Sequence, residues 1–261
     1  LHYPLRRQRQ MCIRDSYLLS SLNNALCLLD LLSHASSLSL AELTHLSGMD
    51  KASVFRSLYT LEKNGYVQKL PEARYRLGMK FLYYGNLVAA QQDIVTAARP
   101  ALQNLTLRCK LAVHLSCLNQ ERIVTICKEE SPYDIQVTAR VGMNAPAYAT
   151  AMGQAILAFL PEKQLDVLLN RYTYKRYSPR SVTDQNQCRV ILAEVRRSGY
   201  ATDIDDRFPG FGSVACPVFD PSNHVIAAVG VVGLAQTIQD CTGNYVAELR
   251  KTCLLYTSDA A

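Results

Sequence analysis

The chain has 261 residues, of which 49% are hydrophobic and 19% are charged, and its formal net charge is +6. This composition is typical of a globular protein and excludes a disordered or fibrous chain. The length predicts two domains, and no hydrophobic run reaches the roughly 18–20 residues that a membrane-spanning helix needs.

The two ends of the chain are interpreted as translated sequencing adapter. The segments RRQRQMCIRDS (residues 6–16) and CLLYTSDAA (residues 253–261) can be back-translated into reverse complements that resemble a transposase adapter. We therefore predict that residues 1–16 and 253–261 are read-through and exclude them from the fold prediction; the alternative is a native basic arm. Without them the net charge is about +4, too small to identify a partner by itself.

The cysteines indicate neither a metal site nor a secreted protein. Outside the two ends they are Cys27, Cys109, Cys117, Cys127, Cys188, Cys216 and Cys241. They form no CxxC pair and no Cys/His cluster with zinc spacing, so we expect no metal. Scattered thiols without a secretory signal are typical of the reducing cytoplasm, where we place the protein.

Three helices are predicted first along the chain. In SLNNALCLLDLLSHA, one hydrophobic stripe is expected to contain Leu22, Ala25, Leu26, Leu29 and Leu32. Ser39 and Glu42 form the capping box of a second helix, which Gly48 ends. Asp50 then caps a third helix, from residue 51 to about residue 64. The alternating run YVQKLPEARYRLG follows, and it predicts a β-hairpin around LPEA.

The second and third helices have the pattern of a helix-turn-helix. Six hydrophobic residues are predicted to face a shared core: Leu40, Leu43, Leu46, Val54, Leu58 and Leu61. The third helix would then present Lys51, Ser53, Arg56, Ser57 and Thr60, and no acidic residue interrupts them before Glu62. Such side chains bind phosphates and base edges. With Arg74 and Arg76 on the hairpin, the pattern predicts a DNA-binding winged helix; the alternative is an ordinary amphipathic helix pair.

The rest of the chain predicts an α+β domain. Residues 78–108 are helical in pattern, with Pro100 in the first turn of a new helix. The runs LAVHLSCLN, RIVTICKEE, SVACPVFD and VIAAVGVVGL predict strands of an antiparallel sheet, and ATAMGQAILAFL and QNQCRVILAEVRRSG predict helices between them. The amides at the start of the ATAMGQA helix offer an anion site, unless its residues are small only because the helix packs closely on the sheet.

Several separated segments resemble one family. SLNNALCLLDLLS, LSLAELTHLSGMDKASVFRSLYTLEKNGYV and YRLGMKFL resemble the N-terminal domain of the IclR family of bacterial transcriptional regulators. RVGMNAPAYATAMGQAILAFLP, RRSGYATDIDD and VACPVFDPSNHVIAAVGVVGL are similar to the effector-binding domain of that family, in the same order. The resemblance covers nearly all of residues 22–251.

The resemblance implies an organisation and a function. We expect a winged helix-turn-helix domain (residues 17–78), a linker and dimerisation helix (79–94) and a GAF-like effector-binding domain (95–252). The function implied is sequence-specific binding of a double-stranded DNA operator, controlled by a small carboxylate metabolite from sugar-acid or aromatic catabolism. The protein would act as a dimer or a dimer of dimers, without a cofactor and away from the membrane. The linker stripe Phe81, Tyr84, Leu87 and Val88 would join the partners, unless it packs on its own domain.

The resemblance also implies the residues of the effector pocket. They are Ala151, Met152, Asp203, Phe211, Ser213, Gly230 and Val232. Some relatives carry hydroxyl side chains at the last two positions, so this pocket is less polar and argues against a ligand as small as glyoxylate. The sequence DIDD (residues 203–206) also departs from the usual family pattern of two adjacent acids followed by Glu.

A thiol-dependent redox enzyme on a GAF-like domain is the alternative function. Cys117 and Cys127 lie on adjacent predicted strands and would meet across the hairpin. A reactive thiol needs a basic neighbour that lowers its pKa, and the sequence shows no fixed Cys–His pair. We therefore expect that the protein is not an enzyme.

Overall fold

The computed structural model describes residues 18–90, 93–132 and 140–258, without the side chains of residues 89, 90, 93 and 254–258. The chain divides into two compact units between residues 91 and 92. The predicted read-through at residues 1–16 lies outside the described residues. The last helix continues into residues 253–258, which belong to the predicted C-terminal read-through. That read-through stays a prediction, and so do the bounds of the three predicted domains.

The first unit consists of helices with a small antiparallel sheet. Its elements are α1 (Ser20–Ser33), β1 (Leu38–Ser39), α2 (Leu40–Ser47), α3 (Lys51–Lys63), β2 (Val67–Lys69), β3 (Arg74–Leu77) and α4 (Lys80–Ala90). The strand order is β1-β3-β2. The predicted hairpin is β2–β3, in which Val67 pairs with Leu77, whereas the two-residue strand β1 was not predicted.

The predicted caps of α2 and α3 are present. The Glu42 amide donates to Ser39 Oγ at 3.2 Å, and the Ser39 amide donates to Glu42 Oε2 at 2.7 Å, which is the reciprocal capping box. Gly48 ends α2 with a left-handed φ of 68°. Asp50 accepts a hydrogen bond from the Ser53 amide at 2.9 Å. The end of α2 and the start of α3 are therefore both capped.

The predicted stripe on α1 is partly wrong. Ala25, Leu29 and Leu32 reach the core, but Leu22 and Leu26 are exposed. Fully buried Leu28 takes their place. The reason is that α1 packs against both α2 and α3, which buries the face that repeats at i, i+3, i+4 and i+7 from residue 25.

The start of α4 is fixed to the unit that carries α3. The rings of Phe81 and Tyr84 pack against Tyr66, with centroids 5.5 and 6.0 Å away. Lys80 Nζ donates to the carbonyl of Asn64 at 3.2 Å and lies 4.6 Å from the centre of the Tyr66 ring. Part of each ring therefore packs within its own unit, while Tyr84 is still exposed, and the predicted partner stripe stays a prediction.

A glycine contact sets the position where α4 begins. The Gly78 amide donates to the Tyr66 carbonyl at 2.8 Å. A Cβ on Gly78 would lie only 2.2 Å from the carbonyl oxygen of Gly65. Only glycine allows the two backbone segments to approach this closely.

The second unit is built on one antiparallel sheet of order β6-β5-β4-β9-β8-β7, which confirms the predicted α+β class. Its strands are β4 (Ala112–Asn119), β5 (Arg122–Glu129), β6 (Asn144–Pro146), β7 (Ala201–Ile204), β8 (Phe211–Phe219) and β9 (Val225–Leu234). Its helices are α5 (Asp93–Cys109), α6 (Ala151–Leu157), α7 (Glu162–Arg171), α8 (Gln185–Ser198) and α9 (Ala235–Ser258). Among the described helices, none is long and apolar enough to cross a bilayer.

The helix prediction around Pro100 is wrong. A single helix, α5, runs through Pro100 instead of starting there. Buried Ala98, Leu102 and Leu105 lie on both sides of the proline, so the packing of one continuous face outweighs the cost of the missing amide.

Helices cover both faces of the sheet. The face toward α5 and α9 is apolar, with Val113, Leu115, Val214, Val229 and Val231 in its core. The other face packs against α6, and its side chains alternate with the first set along each strand. Five of the seven predicted effector residues lie on this second face, and the other two lie on α6, which packs against it.

Candidate DNA-binding surface and effector site

Helix α3 presents a basic and polar side to solvent. Val54, Leu58 and Leu61 are buried in the core of the first unit, so the opposite side is exposed. Lys51 and Arg56 lie on this exposed side. The helix follows a capped turn and exposes side chains that bind phosphates and base edges, so it has the features of a DNA-recognition helix.

The polar residues predicted on α3 are arranged unequally. Arg56 Nη2 donates to Ser53 Oγ at 3.4 Å, so these two side chains form one exposed group. Hydrogen bonds from Ser53 lower the pKa of Asp50, and this acid therefore stays ionised as the helix cap beside Arg56. Ser53 and Ser57 are both half-buried, whereas Lys51, Arg56 and Thr60 are exposed.

The two arginines of the wing differ. Arg74 is half-buried; its guanidinium donates to Ser37 Oγ at 2.9 Å and to the Ser37 carbonyl at 2.8 Å, and pairs with Glu42 at 3.4 Å. Arg76 is exposed and donates to Gln68 Oε1 at 3.0 Å across the hairpin. Arg74 therefore ties the wing to the start of α2, while Arg76 remains accessible.

The structure brings the predicted effector residues together on one face of the second sheet. Asp203, Ser213 and Val232 are direct partners across β7, β8 and β9. Phe211 and Gly230 are two residues from Ser213 and Val232 along their strands and so share that face. The remaining two, Ala151 and Met152, lie on α6, which packs against this face.

Close packing explains the small residues at the start of α6. A Cβ on Gly153 would lie 2.1 Å from the Ala147 carbonyl, and one on Gly230 would lie 3.1 Å from Met152 Cγ. Thr150 Oγ1 accepts from the Gly153 amide at 3.1 Å, and Ala151 is fully buried. The packing alternative thus accounts for these residues, and the anion site predicted from the helix amides has no support here.

Two acids at the end of β7 have unusual environments. Burial raises the pKa of Asp203 to about 7, and repulsion by Asp206 acts in the same direction. Burial also raises the pKa of Asp206 to about 6. Asp203 Oδ1 accepts from the Asp206 amide at 3.2 Å. Near neutral pH, Asp203 is therefore partly protonated and able to donate as well as accept a hydrogen bond.

The sequence analysis missed three buried polar side chains on the same face. His114, Ser116 and Thr125 are almost fully buried, and Ser116 Oγ lies 3.5 Å from Thr125 Oγ1 and 3.4 Å from Met152 Sδ. His114 Nε2 has no hydrogen-bond partner among the described residues. Burial lowers the pKa of His114 to about 4. The sequence did contain a signal for two of them: His114 and Ser116 are two positions apart in AVHLSCLN, so both side chains lie on the same face of an otherwise apolar strand.

The cysteine arrangement argues against the redox alternative. Cys127 pairs with Leu115, whereas Cys117 pairs with Val124, so the predicted meeting of the two thiols is wrong. The hairpin turn pairs Asn119 with Arg122, and this register places the two cysteines opposite other residues. Burial raises the pKa of both thiols, which disfavours the reactive thiolate.

Both units match families of known regulators. Residues 21–71 match the IclR helix-turn-helix domain, and residues 86–255 match the C-terminal domain of the bacterial transcriptional regulator IclR. The chain belongs to the IclR family. The sequence resemblance is confirmed, and with it the winged helix-turn-helix followed by an antiparallel-sheet domain.

Known IclR proteins are similar along most of their length. The HTH-type transcriptional regulator XynR of Escherichia coli is 32% identical over 85% of this chain and 89% of its own. An IclR transcriptional regulator from Alicyclobacillus acidocaldarius is 28% identical, with a TM-score of 0.77 over 93% of this chain and 99% of its own. An IclR homolog from Microbacterium hydrocarbonoxydans, crystallised with 4-hydroxybenzoate, shares the fold at 20% identity, with a TM-score of 0.76 over 92% of this chain and 98% of its own.

Membership of this family gives the general function. This IclR protein is a DNA-binding transcriptional regulator with a ligand-binding C-terminal domain. Its relatives are regulators and not enzymes, so the redox-enzyme alternative is set aside.

Asp203→Asn should change how stability depends on pH. The pKa of Asp203 in the folded chain, about 7, lies above the ordinary value of 3.8 for aspartate. Asp203 therefore contributes stability that is fully present below about pH 4 and is lost as the pH rises through about 7. Asparagine cannot ionise, so the variant should gain about 2–3 kcal/mol over the wild type between pH 5 and pH 8, at about 1.4 kcal/mol per pKa unit.

Thermal unfolding at pH 5 and pH 8 measures this effect. Asp240→Asn, at an exposed acid on α9, is the matched control and should follow the wild type. If the difference in melting temperature between Asp203→Asn and the wild type is the same at pH 5 and pH 8, the raised pKa assigned to the Asp203 carboxyl is wrong.

Proposed function

We propose that this regulator binds a pseudo-palindromic operator as a dimer and that a small carboxylate metabolite from sugar-acid or aromatic catabolism controls its affinity for DNA. The observation that carries the proposal is a group of polar side chains on the α6 face of the second sheet: His114, Ser116, Thr125, Asp203 and Ser213. Helix α6 packs against this face. Because the protein acts on bacterial operator DNA, we assign it to the cytoplasm.

On the DNA side, α3 enters the major groove. Arg56 and Ser53 act together near base edges, and Lys51 at the helix start binds a phosphate. Arg76 extends the contact along the wing. Ser57 is half-buried like Ser53 and stays in the proposed contact. Arg74 contributes less than the sequence pattern suggested, because its guanidinium binds Ser37 and Glu42.

On the effector side, the chemistry favours a carboxylate with an apolar body. Protonated Asp203 and the Ser213 hydroxyl can both donate to a carboxylate, and they are direct partners on adjacent strands. His114 contributes a further buried nitrogen that needs a partner. Met152, Phe211 and Val232 supply apolar surface, which a two-carbon acid would leave unused.

The dimer contact is the exposed side of α4. Leu82, Tyr83, Leu87 and Val88 are all exposed there, and a run of large apolar side chains on one helix is typical of a protein interface. Two copies would place two α3 helices on two half-sites, since one unit buries too little DNA for tight specific binding.

Arg56→Ala should weaken operator binding by roughly five- to 150-fold, equivalent to about 1–3 kcal/mol for one bidentate base contact. The melting temperature should not change, because Arg56 is exposed. Gel shift and thermal unfolding measure the two effects. Arg197→Ala removes an exposed arginine on α8 that pairs with Glu194 and should bind DNA normally. Unchanged binding by Arg56→Ala would remove this residue from the interface.

Leu82→Asp combined with Val88→Asp should convert the dimer into a monomer. The reason is that two carboxylates would be buried without partners in the contact between α4 helices. Light scattering gives the mass, with Val190→Asp on the exposed side of α8 as the control. A wild-type chain that is monomeric both with and without operator would defeat the dimer proposal.

An effector should raise the melting temperature and change operator affinity together. A screen would compare 4-hydroxybenzoate, its methyl ester, gluconate and glyoxylate, since a ligand that binds only the folded chain stabilises it. We expect a charged acid larger than glyoxylate to stabilise the chain and its ester to fail. Coupling to DNA of about 1–3 kcal/mol corresponds to roughly a five- to 150-fold change in operator affinity.

The double variant Asp203→Ala plus Ser213→Ala is the control for this pocket. It should lose most of the thermal shift. An equal shift in the variant and in the wild type would mean that the effector binds elsewhere, and a hit that leaves operator affinity unchanged would mean that binding is not coupled to DNA.

A further inference from the structure

Two aromatic rings lie exposed on the same helix as Arg56. Phe55 and Tyr59 are one turn apart on α3, and their rings stack with centroids 6.4 Å apart and planes at 27°. About half of each residue is exposed, 49% for Phe55 and 52% for Tyr59. The residues of α3 that fill the core lie on the other side of the helix. Packing within the fold therefore does not explain why these two exposed positions carry aromatic rings.

The rings border a cleft between α3 and the β2–β3 hairpin. The cleft has a volume of about 470 Å³ and is lined by Phe55, Tyr59, Glu62, Lys63, Lys69 and Tyr75. Lys63 Nζ lies 5.4 Å from the centre of the Tyr59 ring, within the range of a cation–π contact. The lining of the cleft thus combines three aromatic rings with two lysines and one acid.

This combination fits the edge of a DNA major groove. The surface is continuous with the side of α3 that carries Lys51 and Arg56, and its lysines complement a phosphate backbone. The apolar group that the major groove offers is the C5 methyl of thymine, which apolar side chains such as Phe contact directly. A purely electrostatic phosphate contact would have no use for an exposed phenyl ring.

We propose that Phe55 reads a thymine methyl group in each operator half-site. Tyr59 supports the Phe55 ring by stacking, and Lys63 and Lys69 bind the phosphates beside the groove edge. This role rests on the proposed entry of α3 into the major groove. It adds a specificity-determining residue, because Phe55 would distinguish thymine from bases without the methyl group.

Replacing thymine by deoxyuridine removes this methyl and leaves base pairing intact. The probe is a duplex that the wild-type protein selects from a randomised DNA library, resynthesised with one thymine at a time replaced by deoxyuridine. Wild type should lose about fourfold in affinity at one position of each half-site, the value expected for one methyl-sized group withdrawn from water. Phe55→Ala should lose at least as much on the all-thymine duplex and should show no further loss at that deoxyuridine.

The control variants separate this proposal from the general DNA-binding role. Phe208→Ala removes another exposed phenylalanine, in the second unit, and should show the wild-type deoxyuridine penalty. If Arg56→Ala loses binding but Phe55→Ala keeps the wild-type affinity or the wild-type penalty, only the methyl readout is wrong. If Arg56→Ala also binds like wild type, α3 does not read the groove and both proposals fail. Because Phe55 is exposed, unchanged melting temperatures should accompany the loss of affinity.

Discussion

The six-stranded sheet of the second unit is covered by helices on both faces, and this enclosure governs what its side chains can do. A polar group in such a place has lost its water and needs a partner from the protein or from a ligand. On the face toward α5 and α9 the core is apolar and the requirement does not arise. On the face toward α6, His114, Ser116, Thr125 and Ser213 are buried. This asymmetry between the two faces is the reason for placing the proposed effector site on the α6 side of the sheet.

Burial also sets the protonation state of this face. The same loss of water raises the pKa of Asp203 to about 7 and lowers that of His114 to about 4, so near neutral pH His114 is neutral and Asp203 is partly protonated. In its protonated form, Asp203 can donate to an incoming carboxylate without placing a like charge beside it.

The sequence was sufficient for elements whose local signals agree with their packing. The capping box at Ser39, the glycine stop at Gly48 and the alternating strands β4, β5, β8 and β9 depend on neighbouring residues, and the structure contains all of them. Features that depend on tertiary packing were not accessible. The buried side of α1 depends on where α2 and α3 lie, and the position of the turn that pairs Asn119 with Arg122 places Cys117 opposite Val124 instead of Cys127.

The candidate sites show the same division. The family resemblance brought out effector residues that the structure collects on one face, but it did not bring out the buried polar residues of β4 and β5. On α3, the sequence pattern predicted Arg56 but not Phe55 or Tyr59, because only polar and charged side chains were expected to contact DNA. Arg74 was assigned to DNA by its charge alone, whereas its partners Ser37 and Glu42 are distant in sequence.

The junction at Gly78 has a mechanical consequence. Because Gly65 and Gly78 touch backbone to backbone and Lys80, Phe81 and Tyr84 hold the Tyr66 ring, the first part of α4 cannot turn independently of the recognition helix. The aromatic contacts that hold α4 to Tyr66 extend as far as Tyr84. A torque applied to the far end of α4 would therefore reach α3 without being absorbed by a flexible joint.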